Sequence, residues 1–307
     1  MNLAGLGIWT AQFDFQPAGL VRDTVLELEQ LGYSSLWIGE NVGREPISQS
    51  AILLAGTTRL TVATAVLNIW ARDPLSALAA QQTLSEAYPG RFILGLGVSH
   101  PPLVNDVRGL AYRHPVRAMA SYLTAMDEAA GRYRAVRADT TVRLVGALGP
   151  RMLQVAAARA DGAHTYFVPP EHTAAARRII GPGKLVVPEQ AVILNPDRDA
   201  ARRIARRHVR RYLPLRNYTE NLLRLGFTTS DFENDGSDRL VDALVAWGSE
   251  DRIARRLAEH RQAGADHICI QVLDHDARGM PIAAWRRLAA LGTTQPPDHA
   301  PRASATT

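Results

Sequence analysis

Several residue classes are nearly missing from this chain of 307 residues, and each absence removes a class of function. Cysteine occurs once, at Cys269, which excludes an internal disulfide and any cysteine-cluster metal site. Lysine also occurs once, at Lys184, so the net charge of +5 rests on arginine. No run approaches the ~18 uninterrupted apolar residues of a membrane span. The opening MNLAGLGIWTAQFDF lacks the basic start and apolar stretch of a secretory signal, so a cytoplasmic protein is expected. The densest basic stretch is DRDAARRIARRHVRRY, carrying Arg202, Arg203, Arg206, Arg207, Arg210 and Arg211 on one expected helix. Without a reading motif or stacking aromatics, it gives no nucleic-acid partner. The plain reading is a solvated helix face; the other is a site for an anionic ligand or tail.

What is present is a regular alternation. Short apolar runs predict strands at 3–9, 34–40, 59–68, 91–98, 141–148, 163–169, 185–194 and 267–273. Between them lie amphipathic segments such as AGLVRDTVLELEQLG, DPLSALAAQQTLSEA and SEDRIARRLAEHRQAG. The runs are continuously apolar rather than alternating, as parallel strands covered on both faces require. Eight strand–helix units predict an α/β fold, a closed (β/α)8 TIM barrel, with a doubly wound open sheet as the other arrangement of the same pattern. Ser249 reads as a helix N-cap, and Gly264 as a helix end needing positive φ. Residues 1–292 form one expected domain. Residues 213–247 break the pattern and read as an insert before the last strand–helix units, over the barrel mouth. Residues 293–307, rich in Pro, Ala and Thr, read as a disordered tail.

The stretch GRFILGLGVSH at 90–100 tests a nucleotide-binding reading. A dinucleotide fingerprint needs its third glycine at position 100, which is His100, and a helix starting at once; Pro101 and Pro102 follow instead. Gly95 and Gly97 also fall inside the apolar run. Glycine there marks close approach of another backbone or a ligand. In a barrel the C-terminal strand ends carry the chemistry, which places Ser99 and His100 where a ligand would lie.

The run TVATAVLNIWARDPLSALAAQQTLSEAYPGRFILGLGVSH resembles the third and fourth βα units of the luciferase-like flavin and deazaflavin oxidoreductases. The shared features are Arg72-Asp73-Pro74 after a strand and the pattern from Gly90-Arg91 to Gly97. SLWIGE, LGPRMLQVAAARADG and WGSEDRIARRLAEHRQAGADHICIQV extend the likeness in order over residues 3 to 290. Within the family, the chain is most similar to members using the deazaflavin coenzyme F420. The resemblance implies that Ala65-Val66 is a bulge with a non-proline cis peptide behind the deazaflavin ring, with Asn68 beside the ring. It places Gly97, Val98 and Ser99 along the cofactor. The cofactor's phosphate is expected near Tyr166, Phe167 and Val168, with Gly149 a weaker match; a helix N-terminus there holds an anion through backbone N–H groups. Pro169-Pro170 also fits a plain helix start.

Glu40-Asn41 matches an acid–histidine pair of related dehydrogenases, with Asn41 in place of the histidine. His100 falls where those relatives place a glutamate. It is a candidate general acid or base, since its ordinary pKa suits neutral pH; holding the cofactor or its loop, and a solvated loop position, are the other readings. Trp9, Trp70, Tyr212 and Tyr218 are candidate walls of a substrate pocket, or core and rim. Hydride transfer between F420 and a small organic substrate is the implied activity. The alternatives are an FMN-dependent two-component monooxygenase served by a separate reductase, and a cofactor-free barrel whose mouth is filled by side chains such as Trp70. A homodimer packed through helices two and three is implied by the family alone.

Overall fold

Proline begins five of the helices, Pro46, Pro74, Pro115, Pro150 and Pro170 each standing where a missing N–H leaves no bond unmade. The computed structural model describes residues 1 and 3–292; the expected tail at 293–307 lies outside the described residues.

The strands are β1 (Leu6–Thr10), β2 (Ser35–Ile38), β3 (Thr61–Thr64), β4 (Leu67–Asn68), β5 (Phe92–Gly97), β6 (Val142–Gly146), β7 (Gly162–Thr165), β8 (Leu185–Ile193), β9 (Val245–Trp247) and β10 (Ile268–Val272). All pairings are parallel. The order β1-β2-β3-β5-β6-β7-β8-β10 closes through Leu6↔Ile268, giving an eight-stranded barrel. The helices are α1 (Ala18–Gln30), α2 (Pro46–Ala55), α3 (Pro74–Ala87), α4 (Pro115–Ala129), α5 (Pro150–Arg159), α6 (Pro170–Ile180), α7 (Arg198–Val209), α8 (Arg216–Arg224), α9 (Asp238–Leu244), α10 (Glu250–Gln262) and α11 (Ile282–Leu288). The expected (β/α)8 barrel is therefore the fold, and the open sheet is excluded by closure. Among the described residues no helix is long and apolar enough to cross a membrane.

Two motifs of the sequence turn out to be joints. Arg91 reaches from the start of β5 to the Leu60 carbonyl (3.1 Å), the Leu54 carbonyl (3.2 Å) and Thr57 Oγ1 (2.6 Å), tying the α2–β3 loop to the barrel floor. In Arg72-Asp73-Pro74, the Asp73 carboxylate accepts from the Ser76 N–H (3.0 Å) to cap α3, and Pro74 opens the helix.

The structure corrects several boundaries. Helix α2 buries Pro46, Gln49, Ser50, Leu53 and Leu54 at helical spacing while Ile52 is exposed, so polar residues on the buried face hide it in sequence; its N-cap is Glu45, whose carboxylate accepts from the N–H groups of Ile47 and Ser48. The run read as one strand at 59–68 is two, β3 and β4, interrupted at Ala65-Val66. Ser249 does precede α10, but its hydroxyl makes no capping bond. Gly264 has φ +97°, as its place at a helix end requires.

The insert is more ordered than its broken pattern implies. It forms α8 and α9 and returns as β9, which pairs with the far end of β8 at Ala191↔Val245. A second apolar core holds it, joining Val209 of α7 with Tyr218, Leu222, Phe227, Leu240 and Leu244. The arginine stripe is only partly a solvated face. Arg202 is nearly buried between Asp238 and Asp242, Arg206 bonds Asp238 and the Gly236 carbonyl, and Arg210 reaches Asp235. Charges four and eight residues apart on α7 thus clamp the insert, a role that needs acids remote in sequence.

Candidate active site

A cavity of about 970 Å³ opens at the C-terminal ends of the strands, lined from the tips of β1, β2, β3, β5, β6, β7 and β10 and from the insert. This lies at the upper end of the 300–1,000 Å³ typical of small-molecule sites. Of the residues singled out in sequence, Trp9, Glu40, Asn41, Ala65, Val66, Asn68, Gly97, Val98, Ser99, His100, Gly149, Tyr166, Tyr212 and Tyr218 line it together.

The wall behind the cavity starts at the break between β3 and β4, where the Ala65-Val66 peptide is cis. The Ala65 carbonyl accepts from Trp9 Nε1 (3.3 Å), and Val66 packs on Gly97. Asn68 is buried; its N–H donates to Glu40 (2.7 Å) and its Oδ1 accepts from the Trp70 N–H (3.1 Å), but its Nδ2 has no partner among the described residues. A buried amide donor left unmade is costly, so this atom marks a place for a ligand acceptor.

Glu40 is held rather than free. Its two oxygens take Arg72 Nη1 (2.6 Å) and Arg108 Nη2 (3.1 Å) besides the Asn68 N–H, and its side chain is 4% exposed. Arg108 also donates to the Asn41 carbonyl (2.9 Å). The pair Glu40-Asn41 therefore anchors this wall through two arginines from distant loops, and its chemistry is ionic positioning.

His100 follows Ser99, whose φ of +56° is uncommon for a residue with a side chain and turns the loop over the cavity. The imidazole packs on Tyr218 with ring centres 5.4 Å apart, and Asn217 of the insert is its hydrogen-bonding neighbour. Burial pushes its pKa below the ordinary 6.5, so the ring is neutral at pH 7. Its Nδ1 is buried without a partner among the described residues. A neutral imidazole with an unmade bond inside a cavity can make one more hydrogen bond there and can take up a proton at its free ring nitrogen.

Three expectations need correction. Trp70 is no pocket wall: its indole N–H donates to the Val98 carbonyl (2.8 Å) and its ring packs on Tyr112, which takes the wall position. The mouth is accordingly not filled by Trp70, as a cofactor-free barrel required. Phe167 and Val168 are buried away from the cavity, Phe167 in the core under the insert, so the expected phosphate region at the start of α6 does not open to it. The N-terminus of α5 does, through Gly149, Pro150, Arg151 and Met152, joined by Arg224 of α8. Arg151 and Arg224 are exposed and pair with no carboxylate among the described residues, and a helix start flanked by two arginines suits an anion. Sequence reasoning missed Arg224 because only the folded insert brings it beside Gly149. Gly149-Pro150 did carry the signal of a helix start.

A closed (β/α)8 barrel whose strand ends surround one deep pocket is an enzyme architecture, with the reactive groups on the loops. A model of the luciferase-like monooxygenase family matches residues 7–267, and the chain belongs to that family. A Mycobacterium tuberculosis protein named "Putative coenzyme F420-dependent oxidoreductase Rv3520c" is 27% identical over 195 residues, 54% of this chain and 55% of that one. The chain thus spans about half the length of the curated relatives it matches. Among solved structures, an F420-dependent secondary alcohol dehydrogenase in complex with an F420-acetone adduct aligns with TM-score 0.74 at 13% identity, covering 94% of this chain and 98% of that one. The oxygenating constituent of 3,6-diketocamphane monooxygenase from Pseudomonas putida, in complex with FMN, aligns with TM-score 0.68 at 14% identity, covering 94% and 96%. At these identities the two structures share the fold with this chain.

Proposed function

We propose that this protein is an F420-dependent oxidoreductase that moves hydride between the deazaflavin and a small organic substrate. The observation that carries the reading is the pair of unpartnered buried atoms, Asn68 Nδ2 and His100 Nδ1, in one cavity that has a helix start with two arginines at one end. The F420-named relative supports the choice of coenzyme.

The residues fit the group. Ala65, Val66, Gly97 and Asn68 would hold the ring, and the α5 start with Arg151 and Arg224 would hold the phosphate. When bound, the deazaflavin supplies a two-electron carrier that passes hydride and does not readily activate oxygen. The chain does the rest. Trp9, Tyr166 and Tyr218 exclude water around the reacting centre, and a dry site strengthens every polar contact within it. Neutral His100 accepts the proton of a substrate hydroxyl during oxidation, and the imidazolium form, protonated from solvent, gives it to the carbonyl oxygen during reduction. Glu40 keeps the Asn68 wall in place through Arg72 and Arg108.

Titration of the purified protein with F420 and with FMN, followed by quenching of cofactor fluorescence, tests this. Saturable F420 binding is expected. Tight FMN binding without F420 binding would instead assign the two-component monooxygenase chemistry of the FMN-bound structural relative.

A further inference from the structure

We infer that the substrate end of the cavity takes a planar aromatic molecule bearing a hydroxyl or carbonyl and no positive charge, seated on the ring faces of Tyr166, Tyr212 and Tyr218 with its oxygen at His100. For its chemistry this rests on the proposed hydride transfer; for binding it stands on the rings themselves.

The three tyrosines come from β7's end (Tyr166), from just after α7 (Tyr212) and from α8 of the insert (Tyr218), and all line the cavity. Their ring centres lie 5.4 Å (Tyr166–Tyr212), 6.4 Å (Tyr166–Tyr218) and 5.1 Å (Tyr212–Tyr218) apart, at steep angles. Trp9 extends the surface 5.2 Å beyond Tyr166, and His100 extends it 5.4 Å beyond Tyr218. Rings set edge to face leave faces and edges for one more aromatic partner in the same geometry.

The hydroxyls do not compete for that guest. Tyr166 donates its proton to Gln271 Oε1 (2.9 Å), so Tyr212 donates to Tyr166 Oη (2.7 Å). Their bonds fix both rings in place, and a pre-set surface loses little entropy on binding. Behind it the packing is closed: Phe167 lies 4.8 Å from Tyr212 and 5.3 Å from Tyr218, and buried His208 lies 5.1 Å from Tyr212.

Charge decides against an organic cation, the other guest that aromatic faces attract. The acid behind the rings is Glu189, wholly buried, with Oε2 accepting from the Phe167 N–H (3.3 Å). Burial pushes it up to about 8, so it is protonated and neutral at pH 7. Of the acids that line the cavity, Glu40 and Glu220 are paired with arginines, and Asp14 takes the Arg44 N–H. Arg211, Arg224 and Arg151, by contrast, reach the cavity with no carboxylate partner among the described residues. A cation would meet net positive surroundings.

Calorimetry with three matched probes tests the inference on the full chain: naphthyl ethanol, its saturated decahydronaphthyl analogue, and a naphthylmethyl trimethylammonium ion. The naphthyl alcohol is expected to bind about tenfold or more tighter than the other two. Tyr218→Phe keeps that preference because the ring remains, whereas Tyr218→Leu removes it, with circular dichroism and an unshifted cooperative melt showing that the variant is folded. Equal affinity for aromatic and saturated alcohols, or preference for the cation, would overturn the inference. The probes read the rings without cofactor, so a failed F420 titration beside an intact naphthyl preference would sink the deazaflavin reading alone.

Discussion

Gly97 and Val66 are in such close contact across the β4–β5 edge that a methyl group added to Gly97 would fall 2.0 Å from Val66 Cγ2. Two residues earlier, a methyl on Gly95 would fall 2.0 Å from the Thr64 carbonyl oxygen, on backbone. The GxG of this strand is therefore room for the neighbouring bulge that backs the cavity. Gly97→Ala displaces a side chain and is expected to weaken cofactor binding, with a stability loss of about 1–2 kcal/mol. Gly95→Ala displaces a strand and is expected to lose about 3 kcal/mol or more. Urea denaturation beside cofactor titration separates the two. Equal stability losses would contradict this assignment of side chain against backbone.

Replacing His100 by alanine is expected to lower kcat by about 10²–10⁴ while F420 still binds, the usual weight of a proton-transfer group. Because burial holds the imidazole below 6.5, the acid limb of the rate profile should lie below that pH and vanish in the variant. Lost cofactor binding with unchanged turnover at saturation would make His100 a cofactor contact instead.

Glu40→Gln removes the one charge that Arg72 and Arg108 share. Breaking a largely buried ion pair from one side is expected to cost about 3 kcal/mol, or roughly 5 °C or more in melting temperature. Calorimetric melting checks it. An unchanged Tm would show that these arginines find water or Glu45 without loss.

Arg202→Ala opens the clamp between α7 and α9, where Arg202 meets Asp238 and Asp242. The barrel strands do not depend on it, so the effect should stay local. Limited proteolysis is expected to cut within residues 225–237 faster, with the main thermal transition little moved. A global loss of stability would mean that the insert and barrel unfold together.

Stability should depend on pH through groups buried in their neutral forms. Burial holds His164 and His267 near 4 and His208 and His260 near 3, each against 6.5 when unfolded. Their folded pKa values are depressed, so their contribution is complete above 6.5 and is lost as pH falls toward 4 and 3. Glu189 runs the other way: raised from 4.5 to about 8, it favours the fold fully below 4.5 and loses that contribution as pH rises to 8. Glu189→Gln should therefore flatten the decline between pH 4.5 and 8 and leave the acid loss intact. Denaturant midpoints across pH 4–9 measure both slopes.

The sequence by itself determined the barrel, because eight apolar runs separated by amphipathic helices have few other ways to bury both faces of a parallel sheet. It also pointed to part of the cavity lining, because a barrel places the residues just after each strand at one end. Ser99 and His100 were legible for that reason, and Val98 through the family resemblance. What it did not hold was any position set by partners distant along the chain. Helix α2 hid its buried face behind Gln49 and Ser50, Trp70 was turned aside by a carbonyl, and the helix start that opens to the cavity is that of α5 rather than α6. The arginines of α7 became a clamp only when the insert folded back with its acids, and Tyr218 joined Tyr212 in a wall beside Tyr166 by the same return. Periodicity and turn chemistry are local and survive in sequence. Which side chain meets which cavity is a matter of closure, and only the folded barrel with its insert decided it.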